Sequence, residues 1–464
     1  VFVIGSGPAG QKAAVQAAKG GLSVVICERL REVGGACVQF GTIPSKTLRE
    51  RAVARTRAMQ ELARTGQGGL DQSISVAELI GETGAVLKAH DRYMTAQLER
   101  NGIQVVHGRA RFLSAHEVEV QYANGQTERF EADHFVIASG SRPRQLSHIP
   151  VDHEHIYDSD SVLSLAYLPR SMMVFGGGVI ACEYASIFAL LGVEVTLIDR
   201  YPMPLGFLDS DLAQHFLEAF ERLGGVFKGN CTVDAVSFDG VSTVVASTAE
   251  GDTMTADKAL CALGRVSQVA DLHIDAAGLA VNERELIDVD EDGRTLVPHI
   301  FAAGDVVGPP SLASASMEQG RRAACALLGI EAGNQGDFLP SGIYSVPELA
   351  SVGLTEAQAV ERFGSAVVGR AHYREIARGL IADSAGGLLK LIAAPDGELV
   401  GMHIVGAQAT DLIHIGQMAL INGAPLTIFI ENVFNFPTYA ESYRVAALDL
   451  HAQLQRSKSG RTAA

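Results

Sequence analysis

The chain has 464 residues, 47% hydrophobic and 19% charged, enough apolar material for a large core and, at roughly 100–200 residues per domain, about three domains; wholesale disorder is excluded. Its 37 basic and 53 acidic residues give a formal charge of −16, which excludes a nucleic-acid partner or an anionic membrane surface as the expected role. Six cysteines, at 27, 37, 182, 231, 261 and 325, match neither a zinc knuckle nor a secreted disulfide scaffold, and no run of about 18 apolar residues predicts a membrane span. No signal peptide is visible, and because Val1 already lies in a strand-like run, a few residues are expected to precede it. The expectation is a multidomain protein of a reducing, cytoplasmic compartment.

In chain order, Val1-Phe2-Val3-Ile4 reads as a strand that ends at Gly5-Ser6-Gly7-Pro8-Ala9-Gly10. An Ala-rich helix follows, then a second strand over 22–27 that ends at Glu28. A long helical region comes next, broken at Gly66-Gln67-Gly68-Gly69. Strand-like segments follow, one pair joined by Asn124-Gly125, a type I′ hairpin signal, and the run 135–139 closes on Gly140. The pattern then recurs: strand 173–175, the loop Gly176-Gly177-Gly178-Val179-Ile180-Ala181, a helix to about 191, and strand 193–198 ending at Asp199-Arg200. Turn-punctuated strands follow and close on Gly264. From about 337 the chain alternates strands (387–392) with helices (410–421) and has no glycine-rich loop, which predicts an α+β assembly domain.

Each glycine loop stands between a strand and a helix, with an acid about 20 residues further on, the context a dinucleotide fingerprint requires. Gly5, Gly7 and Gly10 form the first set; Gly176, Gly178 and Ala181 occupy the corresponding places in the second. A pyrophosphate would sit at each helix N-terminus, where unpaired N–H groups and the dipole favour an anion. Glu28 and Asp199 are placed to accept from a ribose. Residues 295–305 read as an apolar strand delivering Asp305 after Gly304, suited to a polyol chain, and a helix starting near Ala313 would stabilise charge on a reduced flavin. By itself that segment is equally an ordinary strand end and helix cap; beside the first loop it favours a flavin.

These residues resemble the pyridine nucleotide–disulfide oxidoreductases over essentially the whole chain. The most specific element is Gly34-Gly35-Ala36-Cys37-Val38-Gln39-Phe40-Gly41-Thr42-Ile43-Pro44-Ser45-Lys46. Disulfide-reducing members carry a second cysteine where Thr42 stands, and a histidine acid where Phe436 precedes Pro437-Thr438. Both thiol-side functions are missing, and nothing on the nicotinamide side is. Residues 182–189 and 440–448 match the branch of soluble, FAD-dependent, Si-specific NAD(P) transhydrogenases.

The resemblance implies an α/β fold with two Rossmann-like dinucleotide-binding domains, for FAD and NAD(P), and a C-terminal α+β interface domain. The expected boundaries are 1–148 with 269–336, then 149–268, then 337–464. It implies bound FAD, with NAD(P)H and NAD(P)+ as substrates. Hydride would pass from NADPH to flavin N5 and on to NAD+ in ping-pong fashion. The implied catalytic group is Lys46, Glu183, Thr42 and Cys37, Lys46 lying by the flavin and pairing with Glu183; Gly35, Gly140 and Gly264 join the cofactor contacts. Self-association through 337–464, at least as a homodimer, is implied, with Tyr439 and Glu441 reaching the partner's flavin site. Asp199 favours NAD and Arg200 a 2′-phosphate, so use of both coenzymes is expected, biased to NAD. The alternatives are an NAD(P)H oxidase or diaphorase-type flavoprotein, and a degenerate dihydrolipoyl dehydrogenase-like flavoprotein without catalysis.

Other residues read as structural. Cys27, Cys182, Cys231, Cys261 and Cys325 are expected in the core, and His414 with Met418 at a helix interface. His153 and His155 read as a solvated connector, with no metal expected.

Overall fold

A computed structural model describes residues 1–65, 76–333 and 336–458; the predicted break at Gly66-Gln67-Gly68-Gly69 lies outside them. The backbone divides into two units, Val1–Leu168 with Leu260–Asn334, and Pro169–Ala259 with Gln335–Ala464.

The first unit is built on a five-stranded sheet ordered Ile300–Ala302, Phe135–Ile137, Phe2–Ile4, Val25–Glu28, Gln104–His107, parallel at every pairing. Its strands Phe135–Ile137 and Phe2–Ile4 are apolar at every position because both faces are covered. Val3, Ile26, Val136 and Phe301 meet Ala13, Ala14, Ala17, Met94, Leu98 and Ala323 on the helical side. Phe2, Ile4, Phe135 and Ile137 meet Phe112, Val118 and Val120 on the other side. The latter belong to an antiparallel meander, Arg109–Ser114, Glu117–Gln121 and Thr127–Glu131.

The helices of this unit are α1 (Pro8–Lys19), α2 (Gly35–Gln39), α3 (Thr42–Arg64) and α4 (Val76–Arg100), with a later one, Ala313–Leu328, described below as α7. That later helix crosses α1 backbone to backbone: a Cβ at Gly320 would stand 2.0 Å from the Ala9 carbonyl oxygen.

The hairpin at Asn124-Gly125 forms, but not as the expected two-residue type I′ turn. Only Gly125 has positive φ, at 83°, whereas type I′ needs two such residues. Tyr122 N–H donates to Gln126 O and Gly125 N–H to Tyr122 O. This is a type I turn with a left-handed glycine as its bulge, and Asn124 Oδ1 accepts from Gln126 N–H at 3.0 Å instead of adopting positive φ itself.

The second unit repeats the nucleotide-fold plan. Strands Ser171–Phe175, Glu194–Ile198 and Val226–Lys228 run parallel, with helices α5 (Val179–Leu190) and α6 (Ser210–Arg222) and a second antiparallel meander, Val233–Phe238, Val244–Thr248, Thr253–Ala256. From Ala181 to Ala189 every residue of α5 is buried, which its apolar composition requires.

The same unit holds a five-stranded antiparallel sheet ordered Ser341–Ile343, Leu349–Gly353, Leu399–Val405, Leu388–Ala393, Val367–His372. Helices Ala409–Ile421 and Glu441–Lys458 cover one face, packing Leu412, Ile413, Tyr443 and Leu450 on Leu389, Leu391, Met402 and Ile404. The opposite face carries a buried ion cluster. Lys390, with no exposed side-chain surface, lies 2.7 Å from Asp209, 3.1 Å from Asp211 and 2.7 Å from Glu356. Asp209 also caps α6, accepting from Asp211 N–H, and accepts from Glu356 N–H through its other oxygen.

Three further expectations need correction. Cys231 is only partly buried, unlike Cys27, Cys182, Cys261 and Cys325, because it follows a short edge strand. His414 and Met418 lie on the outer face of their helix; Met418 is 54% exposed, and His414 Nδ1 contacts Gln417 Oε1 at 2.8 Å. Helical spacing placed them on one face but not on the covered one. Tyr439 is buried in its own unit, stacked on Tyr373 at 4.9 Å and bonded to Ser384 Oγ at 2.6 Å, so it does not reach outward.

Candidate functional site

The first glycine loop is tight enough to exclude side chains. Gly5 has φ 102°, and a Cβ there would lie 2.3 Å from Ala138 O. A Cβ at Gly10 would lie 1.9 Å from Gly5 O, and one at Gly35, which opens α2, 2.8 Å from Gly7 Cα. Gly7 is the cap residue of α1 and offers no side-chain cap, so the first-turn N–H groups await an anion. Glu28, 4% exposed, is fixed by the loop itself. Its Oε2 accepts from Ser6 N–H at 3.0 Å and Ser6 Oγ at 2.6 Å, and its Oε1 from Leu30 N–H at 2.9 Å. Ser6 Oγ in turn accepts from Gly34 N–H at 3.0 Å, tying the loop to α2.

Cys37 lies on α2, and Thr42 opens α3. Burial pushes the Cys37 thiol up; a hydrogen bond with Thr42 and the nearby charge of Lys46 offset this only in part. A thiol and a hydroxyl thus share the space where a cystine would need two sulfurs. Lys46 lies one turn further along α3, its Nζ 3.4 Å from Ser45 Oγ.

Gly304 N–H donates to Gln319 Oε1 at 2.9 Å, and Asp305 Oδ2 accepts from Ser141 Oγ at 2.6 Å. Ala313 is the first residue of α7 (Ala313–Leu328), whose cap residue, Leu312, supplies no side-chain cap. Gly140 O accepts from Gln268 N–H and Gly264 O from Arg144 N–H, and a Cβ at either glycine would meet nothing within 4 Å. Ser139 Oγ is buried without a hydrogen-bond partner among the described residues. An orphaned hydroxyl beside a glycine cradle, two uncapped helices and an acid facing the loop fit a dinucleotide carrying a polyol, as FAD does.

In the second unit Gly176 and Gly178 lead into α5, again without a side-chain cap, and Ala181 is fully buried beneath. By contrast, α6 is capped by Asp209. A Cβ at Gly178 would meet nothing within 4 Å, whereas one at Gly177 would stand 2.2 Å from Asp199 Oδ2. The Asp199 carboxylate therefore lies on the loop, and it meets no hydrogen-bond donor among the described residues. Arg200 is exposed; its Nη2 donates to Tyr201 Oη at 2.9 Å and its guanidinium lies 4.8 Å from the Tyr201 ring centroid. Glu183, on the loop helix, is 4% exposed rather than a surface acid, and its Oε1 accepts from Tyr344 N–H at 2.8 Å.

Sequence reading missed Ser6, Ser139, Ser141, Gly177 and Arg265. Ser6 and Gly177 were legible as the inner residues of the loops; Arg265 follows Gly264 directly.

A family profile described as pyridine nucleotide-disulphide oxidoreductase matches residues 1–320, and the dimerisation domain of the same family matches 339–447. The chain belongs to the pyridine nucleotide-disulphide oxidoreductase family. It is 40% identical over 452 residues to the soluble pyridine nucleotide transhydrogenase of Mycobacterium tuberculosis, covering 97% of this chain and 96% of that one. It is also 40% identical over 456 residues to the transhydrogenase of the same description from Vibrio vulnificus, covering 97% of each. Among solved structures it resembles LpdA of M. tuberculosis, with TM-score 0.88, 28% identity, and coverage of 97% and 99%. It also resembles the HOCl-induced flavoprotein disulfide reductase RclA of Escherichia coli, with TM-score 0.86, 26% identity, and coverage of 96% and 99%.

Like others of this family, the protein is an FAD-dependent oxidoreductase of pyridine nucleotides. Its departure from disulfide-reducing members is physical as well as lexical. Phe436 is 68% exposed and carries no proton to give, and Cys37 is a free thiol with Thr42 where a second cysteine would stand. No helix among the described residues is long and apolar enough to cross a membrane.

Proposed function

We propose that this protein is a soluble pyridine nucleotide transhydrogenase, moving a hydride between NADPH and NAD+ with no redox-active disulfide. The observation that carries this reading is a free Cys37 on α2 with Thr42, not a second cysteine, at the start of α3. A two-electron exit to sulfur needs two thiols, and the second position is a hydroxyl. The 40% identity to transhydrogenases along nearly the whole chain supports the same reading. When bound, FAD supplies a hydride carrier that takes a hydride from one nicotinamide and gives it to the next.

The residues then divide the work. Gly5, Gly7, Gly10, Gly35, Glu28, Gly140, Gly304, Asp305 and Ala313 hold FAD. Gly176, Gly178, Ala181, Asp199, Arg200 and Gly264 hold the exchanging nicotinamide coenzyme. Lys46 stabilises negative charge on the reduced ring, and Glu183, pinned by Tyr344 N–H, seats the nicotinamide end. Cys37 and Thr42 close the sulfur exit. One site serves donor and acceptor in turn, so the kinetics are ping-pong. The working domains are 1–148 with 269–336, 149–268 and 337–464, the last forming a homodimer, and the compartment is cytoplasmic.

The test is anaerobic mixing with NADPH and then NAD+, following flavin absorbance. Bleaching by NADPH and recovery on NAD+, without added thiol, is expected. Reduced flavin that fails to recover with NAD+ would refute the proposal.

A further inference from the structure

Asp305 does not stand alone. Ser141 Oγ lies 2.6 Å from its Oδ2, and Asp305 Oδ1 carries no hydrogen bond among the described residues. Ser141 is 5% exposed and sits on a short ribbon, Ser141–Pro143, paired antiparallel with Arg265–Ser267. Arg265 grips it from that partner strand: Nε donates to Ser141 Oγ at 2.9 Å and Nη2 to Ser141 O at 2.9 Å. The third arm, Nη1, donates to Ser159 Oγ at 3.0 Å and Asp160 Oδ1 at 2.8 Å. Gln268 Nε2 adds a second donor to Ser141 O at 2.9 Å.

Donor chemistry then fixes the direction of every bond. A guanidinium only donates, so Ser141 Oγ must accept from Arg265 Nε. The one hydrogen of the hydroxyl is left for Asp305 Oδ2. That oxygen is thereby satisfied, the carboxylate plane is locked, and Oδ1 is presented to a ligand hydroxyl. Without Arg265 the serine hydroxyl is free to rotate toward another acceptor.

We propose that Arg265 and Ser141 are positioning residues for FAD, setting the orientation of Asp305 through a relay in which Arg265 dictates where the Ser141 proton points. The relay depends on the protein being a flavoprotein, the reading above, and not on which acceptor finally takes the hydride.

The experiment is fluorescence titration of FAD into the deflavinated full-length chain, with the melting temperature of the deflavinated protein measured alongside. Ser141→Ala and Arg265→Met are each expected to weaken FAD binding about ten-fold, the order of one charge-assisted hydrogen bond. The double variant should be no weaker than either single, since both break one relay. Arg265→Lys should not rescue, because a single ammonium cannot grip Oγ and O together. FAD affinity within two-fold of wild type in Arg265→Met, with only the melting temperature lowered, overturns the proposal, as do losses that add in the double variant. Ser141→Ala removes one oxygen and keeps the test open if Arg265→Met does not fold. A wild-type chain that takes up FAD but does not exchange nicotinamides defeats the transhydrogenase reading and leaves the relay to stand or fall on these affinities.

Discussion

The Cys37 thiol, on α2, has the Thr42 hydroxyl, opening α3, as a neighbour that counters part of the upward push burial gives it. A second sulfur at position 42 would supply the pair that a cystine needs. Thr42→Cys is therefore expected to form a cystine in air and to raise the anaerobic reducing requirement from roughly one to roughly two two-electron equivalents per flavin. Dithionite titration reads this directly. Transfer between nicotinamides should fall several-fold, because electrons are stored on sulfur.

Removing the existing thiol should do little. Burial pushes Cys37 up, so it is protonated at neutral pH and is neither nucleophile nor electron store. Cys37→Ser is expected to keep transhydrogenation within about two-fold and to leave its profile between about pH 6 and 8 unchanged. A large loss in steady-state rate would show that the thiol has a role of its own.

Asp199 and Arg200 oppose one another in coenzyme choice. Asp199→Asn should raise KM for NAD about ten-fold through loss of a charged acceptor and lower KM for NADPH by relieving repulsion with the 2′-phosphate. Arg200→Gln should raise KM for NADPH alone and leave the NAD value within about two-fold. Paired KM measurements on both coenzymes check the signs.

The Lys390 cluster makes a stability prediction. Burial alone would push Asp209 up, but the Glu356 N–H and Lys390 outweigh it and hold the carboxyl below its ordinary 3.8. Asp211 is likewise lowered, burial being outweighed by Lys390 and Arg370. A depressed carboxylate contributes stability above its unfolded value, and the contribution is lost as pH falls through the folded one. Melting temperature should hold above about pH 4 and drop below it. Lys390→Met leaves Asp209, Asp211 and Glu356 crowded without their central cation, and should cost about 3–5 kcal/mol at pH 7. The deficit should shrink in acid as those carboxylates protonate. A pH-independent deficit would count against this account.

What sequence alone could say followed from how local each feature is. The glycine loops were legible because Gly5, Gly10 and Gly177 answer to clashes within one turn or one neighbouring strand. The two sulfur-side losses were legible because each is one residue in a fixed motif. The Asp305–Ser141–Arg265 chain was not, since its members are 164 and 124 positions apart and no periodicity links them. Lys390 looked like an ordinary strand residue; only the fold brings α6 and the helix Glu356–Phe363 around it. His414 and Met418 show the limit of helical spacing, which groups residues on a face without saying what covers it.

Glu28 and Asp199 illustrate one further consequence. Glu28 is clasped by Ser6 and Leu30, whereas Asp199 rests against Gly177 and meets no hydrogen-bond donor among the described residues. A pre-set acceptor surrenders no freedom on docking, and an unsteadied one must be ordered at each encounter. The two loops thus differ in residence time: one suits a permanent tenant, the other a visitor that leaves every half-turnover.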